Sequence, residues 1–242
     1  MKKVAIFDLD GTLFRWQLFH ELVFELGEMK ALDDKTVETL EQSLIEWQTK
    51  RRSWHDYEMT IIDAMESNVA AITPELFEEA AHNVVERSGQ KIYAYTKRLA
   101  DKLKSDGYYL LAISGSQQEI AEPFAKLYGF DDCIGALYER IDGKFTGKKV
   151  RHVPGNKHEI IKNYLREHPD LTLTDSVAVG DSNGDISMLH LAENPIAFNP
   201  SEELLDEANE NNWQVVIERK NIAYTLKKDS DGSFVLAKTD RF

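Results

Sequence analysis

The sequence has one cysteine, Cys133, in 242 residues. That excludes an intrachain disulfide and a thiolate metal cluster, and Cys133 reads as an inert thiol. Basic residues are scarce: 29 Lys and Arg stand against 42 Asp and Glu, for a formal net charge of -13. A nucleic-acid or anionic-membrane partner needs a basic patch, so neither is expected. An anionic substrate would need locally positive groups or a metal. No apolar run is long enough to span a membrane. Asp8 and Asp10 break the stretch after Lys2-Lys3 too early for a signal peptide, and the expected location is the cytoplasm. Repeats and low-complexity linkers are also lacking. The length suits a sizeable core or two modest domains.

What is present begins at the N-terminus. Val4-Ala5-Ile6-Phe7 reads as a buried parallel strand, and it runs into Asp8-Leu9-Asp10-Gly11-Thr12. Burying two acids at a strand end is costly without a cation or a shared proton. The pattern then turns helical, with Phe19, Leu22, Val23 and Leu26 on one face, and Val37, Leu40 and Leu44 on a second helix. Glu58, Ile61, Ile62 and Met65 suggest a third. Thr73-Pro74 starts a fourth, with Thr as N-cap and Pro at the first helical position.

Strands and helices alternate afterwards. A helix from Ile92 ends at Gly107. A strand from Tyr108 to Ile113 stops at Ser114-Gly115-Ser116, and a helix follows. Asp142-Gly143 marks a hairpin. Lys157 opens a helix, and the strand from Ser176 to Val179 ends in Gly180-Asp181. A last strand covers Trp213 to Ile217, and Asp231-Gly232 suggests a further hairpin. This alternation implies a parallel sheet with helices on both faces, whose ligands bind beyond the carboxyl ends of the strands. Asp8 with Asp10, Ser114 and Asp181 all fall at such ends.

The chemistry follows from residue type. A carboxylate such as Asp8 can attack phosphorus, although a capping aspartate looks the same in isolation. Asp10 can protonate a leaving oxygen and later take a proton from water, or merely bind the turn. Asp181 suits Mg²⁺, with Asp185 behind it or as an alternative ligand. A calcium loop is excluded, because its twelfth position is Ala192. Ser114, Gly115 and the following amides can hold phosphate oxygens at a helix start. Lys157 can neutralise phosphate, with Lys148, Lys149 and Lys162 as rivals.

Taken in order, Asp8-Leu9-Asp10-Gly11-Thr12, Ser114, Lys157 and Gly180-Asp181 with Asp185 resemble the haloacid-dehalogenase-like superfamily of phosphohydrolases. The resemblance implies an α/β fold, a Rossmann-like parallel sheet core of residues 1–14 and 87–242 with an inserted all-helical cap at 15–86. It implies Mg²⁺ and a two-step reaction through an aspartyl phosphate. Asp8 would be the nucleophile and Asp10 the acid/base. Asp8, the Asp10 carbonyl and Asp181 would hold the metal, and Ser114, Gly115 and Lys157 the phosphate. The substrate would be a small phosphorylated metabolite. The cap type looks most like the phosphoserine-phosphatase-like subfamily. That subfamily's amine-binding glutamate position is Gln17 here, with Glu21 one turn further on. Arg51 and Arg52 are candidates for carboxylate recognition by residue type, and Arg15 follows the catalytic turn closely. A phosphomutase keeps both aspartates and is the alternative reading. The receiver domain of signalling proteins has its acidic pair adjacent rather than alternating.

Overall fold

The computed structural model describes all 242 residues. The chain runs through β1 (Lys2–Phe7), α1 (Leu18–Glu28), α2 (Asp34–Gln48), α3 (Trp54–Asn68), α4 (Pro74–Ser88) and α5 (Ala94–Ser105). It continues with β2 (Tyr109–Gln117), α6 (Gln118–Leu127), β3 (Asp132–Ile141), β4 (Lys144–Arg151), α7 (Lys157–Glu167) and β5 (Leu171–Gly180). It ends with α8 (Ile186–Leu189), β6 (Asn194–Phe198), α9 (Glu202–Glu210), β7 (Gln214–Arg219), β8 (Ile222–Lys228) and β9 (Phe234–Arg241). This is the expected α/β fold. The nine strands form one sheet in the order β4-β3-β2-β1-β5-β6-β7-β8-β9. Its centre, β3 to β7, is parallel, while β4, β8 and β9 pair antiparallel at the edges.

β1 is the hinge of this topology. The chain leaves it on one side to β2 and returns on the other to β5. A crevice opens where connections diverge in this way, beyond the strand ends. Val4, Ala5, Ile6 and Phe7 are wholly buried, because both faces of the central strand are covered. One face belongs to a cluster that includes Ala5, Phe7, Leu110 and Phe124, and the other to a cluster with Val4, Ile6, Leu111 and Ile161.

Three of the four helices between β1 and α5 have side-chain N-caps. Asp33, Ser53 and Thr73 each accept an amide bond at the start of their helices. The chain entering and leaving this block is zipped together: the Arg15 N–H donates to Lys91 O at 2.8 Å and the Tyr93 N–H to Leu13 O at 3.0 Å. The apolar faces of the helices join the sheet's own core without a break, through residues such as Leu18, Leu22, Phe77 and Val84.

Two elements depart from the pattern reading. β2 does not stop at Ile113; it runs through Ser114-Gly115-Ser116 to Gln117, pairing Gln117 with Ala136 across an irregularity. Gly115 lies within an extended strand rather than a turn. The hairpin at Asp142-Gly143 forms with both residues at positive φ, but its first strand starts earlier, at Asp132. The expected C-terminal hairpin is β8–β9.

Candidate active site

Asp8 follows β1 directly, and its N–H donates to Val179 O at 2.9 Å, which keeps it in line with β5. The residue is 5% exposed. Its Oδ1 accepts from Lys157 Nζ at 2.6 Å, while its Oδ2 is buried with no partner. Lys157, the first residue of α7, also donates to Asp185 Oδ1 at 2.6 Å and to the β2 carbonyl of Ile113 at 3.2 Å. One ammonium therefore ties the residue that follows β1 to the middle of β2 and to the turn after β5. The second oxygen of Asp185 accepts from the amides of Asp181 and Ser182 and from Ser182 Oγ, at 3.0–3.1 Å. Asp185 thereby shapes the turn that presents Asp181. Two glycines make room: a Cβ on Gly11 (φ +80°) would lie 2.1 Å from Asp181 Oδ2, and one on Gly180 would lie 2.4 Å from Asp185 Cβ.

Ligand oxygens of Asp8, Asp181 and Asp185 lie within 4.8 Å of one another. Without a cation this arrangement is strained electrostatically. Burial, opposed by Lys157 and reinforced by Asp185 and Asp10, pushes Asp8 up to about 8. Burial, then Asp8 and Asp185, pushes Asp181 well above the usual carboxylate range. Lys157 loses ground to burial but is carried upward overall by Asp185 and Asp8, so it stays charged. A partnerless buried carboxylate oxygen, hard oxygen donors and surplus negative charge are what a divalent cation such as Mg²⁺ fits.

Asp10 faces the helices. Its Oδ1 accepts the Leu18 N–H at 2.5 Å, at the start of α1. Its Oδ2 accepts from Ser114 Oγ at 2.5 Å and Ser116 Oγ at 2.8 Å. Ser116 Oγ in turn accepts the Phe19 N–H at 3.0 Å, and Ser114 Oγ accepts the Ser116 N–H at 2.9 Å. Burial raises Asp10, against the bonds from Ser114, Leu18 and Ser116 that favour its anion. Ser116 was not among the sequence candidates. Its signal was the alternation Ser-Gly-Ser, which puts both hydroxyls on one face once the segment is a strand.

The other candidates are dispersed. Arg15 is exposed, with its guanidinium 5.1 Å from the Tyr93 ring. Gln17 is the N-cap residue of α1 and makes no side-chain cap bond. Glu21 accepts from Ser88 Oγ at 2.9 Å and lies 3.7 Å from Lys91. Arg51 is exposed and bonds Thr49, while Arg52 pairs with Glu46 at 3.0 Å. Next to the Asp8–Thr12 turn, Trp16, Trp47, Trp54, Tyr57 and His20 pack ring on ring at 5.1–5.9 Å. Trp16 is anchored there because its carbonyl accepts the Gly11 N–H at 3.0 Å. Burial pushes His20 down to about 3, and its Nδ1 has no partner.

Comparison with known proteins accords with this geometry. The chain is 27% identical over 228 residues to a phosphoserine phosphatase of Methanocaldococcus jannaschii, covering 93% of this chain and 97% of that one. It is 25% identical to a histidinol-phosphatase of Neisseria meningitidis, covering 89% and 99%. It spans 41–42% of the length of the first curated relatives it matches, mycobacterial proteins 30–31% identical over 128 residues. A crystal structure of a Bordetella pertussis protein of unknown function shares the fold, with a TM-score of 0.72 at 19% identity over 90% of this chain and 99% of that one. The model of haloacid dehalogenase-like hydrolases matches residues 5–190. The chain belongs to the haloacid dehalogenase-like hydrolase family.

Proposed function

We propose that this protein is a Mg²⁺-dependent phosphomonoesterase that works through a phosphate ester of Asp8. The observation that carries the reading is the buried, partnerless Asp8 Oδ2 beside a lysine-bound Oδ1. A carboxylate pinned by one oxygen is held in a single orientation at the crevice, as a nucleophile and metal ligand needs. In the first step one Asp8 carboxylate oxygen bonds to phosphorus, the bond from phosphorus to the leaving oxygen breaks, and Asp10 delivers a proton to that oxygen. In the second, Asp10 takes a proton from water as the water oxygen bonds to phosphorus and the bond to Asp8 breaks. Lys157 holds charge against the transferring group, and Asp185 holds Lys157. Mg²⁺, held by Asp8, the Asp10 carbonyl and Asp181, would neutralise the phosphate oxygens. Ser114 and Gly115 complete the phosphate site. The Ser114 proton turns from Asp10 toward the ester when substrate docks.

Residues 15–86 act in this reading as a cap over a core of 1–14 and 87–242. The paired segments at Leu13–Arg15 and Lys91–Tyr93 support a two-stranded hinge. The substrate is a small organic phosphate. The relatives' names include phosphoserine and histidinol phosphatases, but the groups that would read phosphoserine are absent or engaged. Gln17 carries no charge, Glu21 is tied to Ser88, and Arg52 is tied to Glu46. We read the leaving group as one that packs against Trp16. Phosphate release from a panel of phosphomonoesters, with Mg²⁺ and with chelator, tests this. Mg²⁺-dependent release is expected, with phosphoserine a poor member. No release from any ester, or release indifferent to chelator, contradicts it.

A further inference from the structure

A second polar cleft lies away from the carboxylate crevice. Its volume is about 630 Å³, and α4, α6, β3 and β4 contribute its walls. That is in the range of small-ligand sites. Four acids line it: Glu78, Glu119, Glu122 and Glu139. Arg140 bridges two of them, donating to Glu78 at 2.8 Å and to Glu119 at 2.7 Å, with its guanidinium 4.8 Å from the Phe145 ring. Lys148 pairs with Glu139 at 3.4 Å.

The cleft wall carries two unmet hydrogen-bonding groups. The Glu119 side chain is 9% exposed, yet its Oε2 is buried without a partner. Tyr138 is 3% exposed, and its hydroxyl is equally alone. Both side chains line the same cleft. They do not bond each other. A donor placed between them satisfies both. Beside them, Pro123, Leu137 and Val150 offer apolar surface.

A point ion does not fit this arrangement. The only three acidic, histidine or cysteine groups in the chain whose ligand atoms meet within 4.8 Å are Asp8, Asp181 and Asp185. Four carboxylates sharing a cleft with apolar side chains, in excess over Arg140 and Lys148, match positive charges spaced by methylenes. We propose that this cleft binds a linear aliphatic polyamine, one ammonium donating to Glu119 Oε2 and Tyr138 Oη and a second lying at Glu122. The ligand touches α4 and α6 together, so it adds to the tie that Arg140 makes between them.

The test is calorimetric titration of spermidine into the full chain with saturating Mg²⁺, at about 0.15 M NaCl to screen diffuse attraction to the acidic surface. One saturable site is expected. Glu122→Gln, an exposed change, should weaken it about tenfold, as should Glu119→Gln. A monoamine of similar chain length should bind at least about tenfold more weakly than spermidine. Circular dichroism confirms that each variant is folded. No saturable binding, affinity unchanged in the folded Glu122→Gln protein, or a monoamine that binds as well as spermidine would overturn the assignment. None of these outcomes depends on whether the crevice hydrolyses phosphate esters.

Discussion

Two buried regions adjoin the Asp8–Thr12 turn, and both hold polar atoms without partners. In the carboxylate crevice the orphan is Asp8 Oδ2, in a cluster with too much negative charge. In the aromatic knot of the helical block the orphans are His20 Nδ1 and the Tyr57 hydroxyl, surrounded by rings. The first environment raises the proton affinity of Asp8 and the second lowers that of His20. Asp8 is pushed up to about 8 and His20 down to about 3. Burial penalises charge in both cases, but it makes the acid hold its proton and the base lose it. The crevice is therefore built to be completed by a cation, and the knot is complete when neutral.

The sharpest way to break this contrast is to remove the lysine that makes the crevice tolerable. Lys157→Met leaves Asp8 and Asp185 buried without their ion pair. Denaturant unfolding should show a loss of about 3–5 kcal/mol. A loss within the range of an exposed ion pair would mean the crevice is not electrostatically closed. A second probe is proton release. Burial, against the pull of Lys157, raises Asp8 to about 8 without a cation, so metal binding competes with a proton on this cluster near neutral pH. Mg²⁺ binding should release protons near neutrality and fewer as pH rises well above 8. Calorimetry in buffers of different ionisation enthalpy measures this, and no release at neutral pH would contradict the assigned environment.

Smaller effects address the link between the two regions. Ser116 joins Asp10 to the first turn of α1. Ser116→Ala should lower kcat by roughly tenfold, through a less well held Asp10, with KM little changed. A change in KM alone would place Ser116 with substrate binding instead. The smallest effect lies in the knot. The folded pKa of His20 lies below its unfolded value of 6.5, so its neutral form contributes stability in full above 6.5. That contribution falls as pH drops from 6.5 toward about 3, because the unfolded chain binds the proton first. The stability difference between wild type and His20→Leu should therefore shift in favour of the variant on acidification below 6.5, by roughly 1 kcal/mol per pH unit. A difference independent of pH would show that His20 is not buried neutral.

The same contrast explains what was legible in the sequence. Two acids after a four-residue apolar run stand out against any background, and Gly180-Asp181 repeats the signal at a second strand end. A parallel sheet follows from the alternation of elements, with its ligand site beyond the carboxyl strand ends, so the meeting of Asp8 and Asp181 was predictable in outline. The path of β2 was not. Gly115 resembles a turn residue, and only pairing with β3 shows that the strand continues and puts Ser116 beside Asp10. The aromatic knot was hidden for another reason. Helical period identified α1, α2 and α3, but which rings meet depends on how the helices cross. His20 carries no local mark that separates it from His55, which lies exposed on α3.

The central claim is that Asp8 carries the phosphoryl group. The direct measurement is mass spectrometry of the protein, rapidly acid-quenched during turnover of the best ester with Mg²⁺ and then digested. The account predicts one phosphate on the peptide that contains Asp8, absent with chelator and absent in a folded Asp8→Asn protein whose turnover has fallen by about four orders of magnitude or more. Phosphate on another residue, or Asp8→Asn turning over at a rate near wild type, would contradict it.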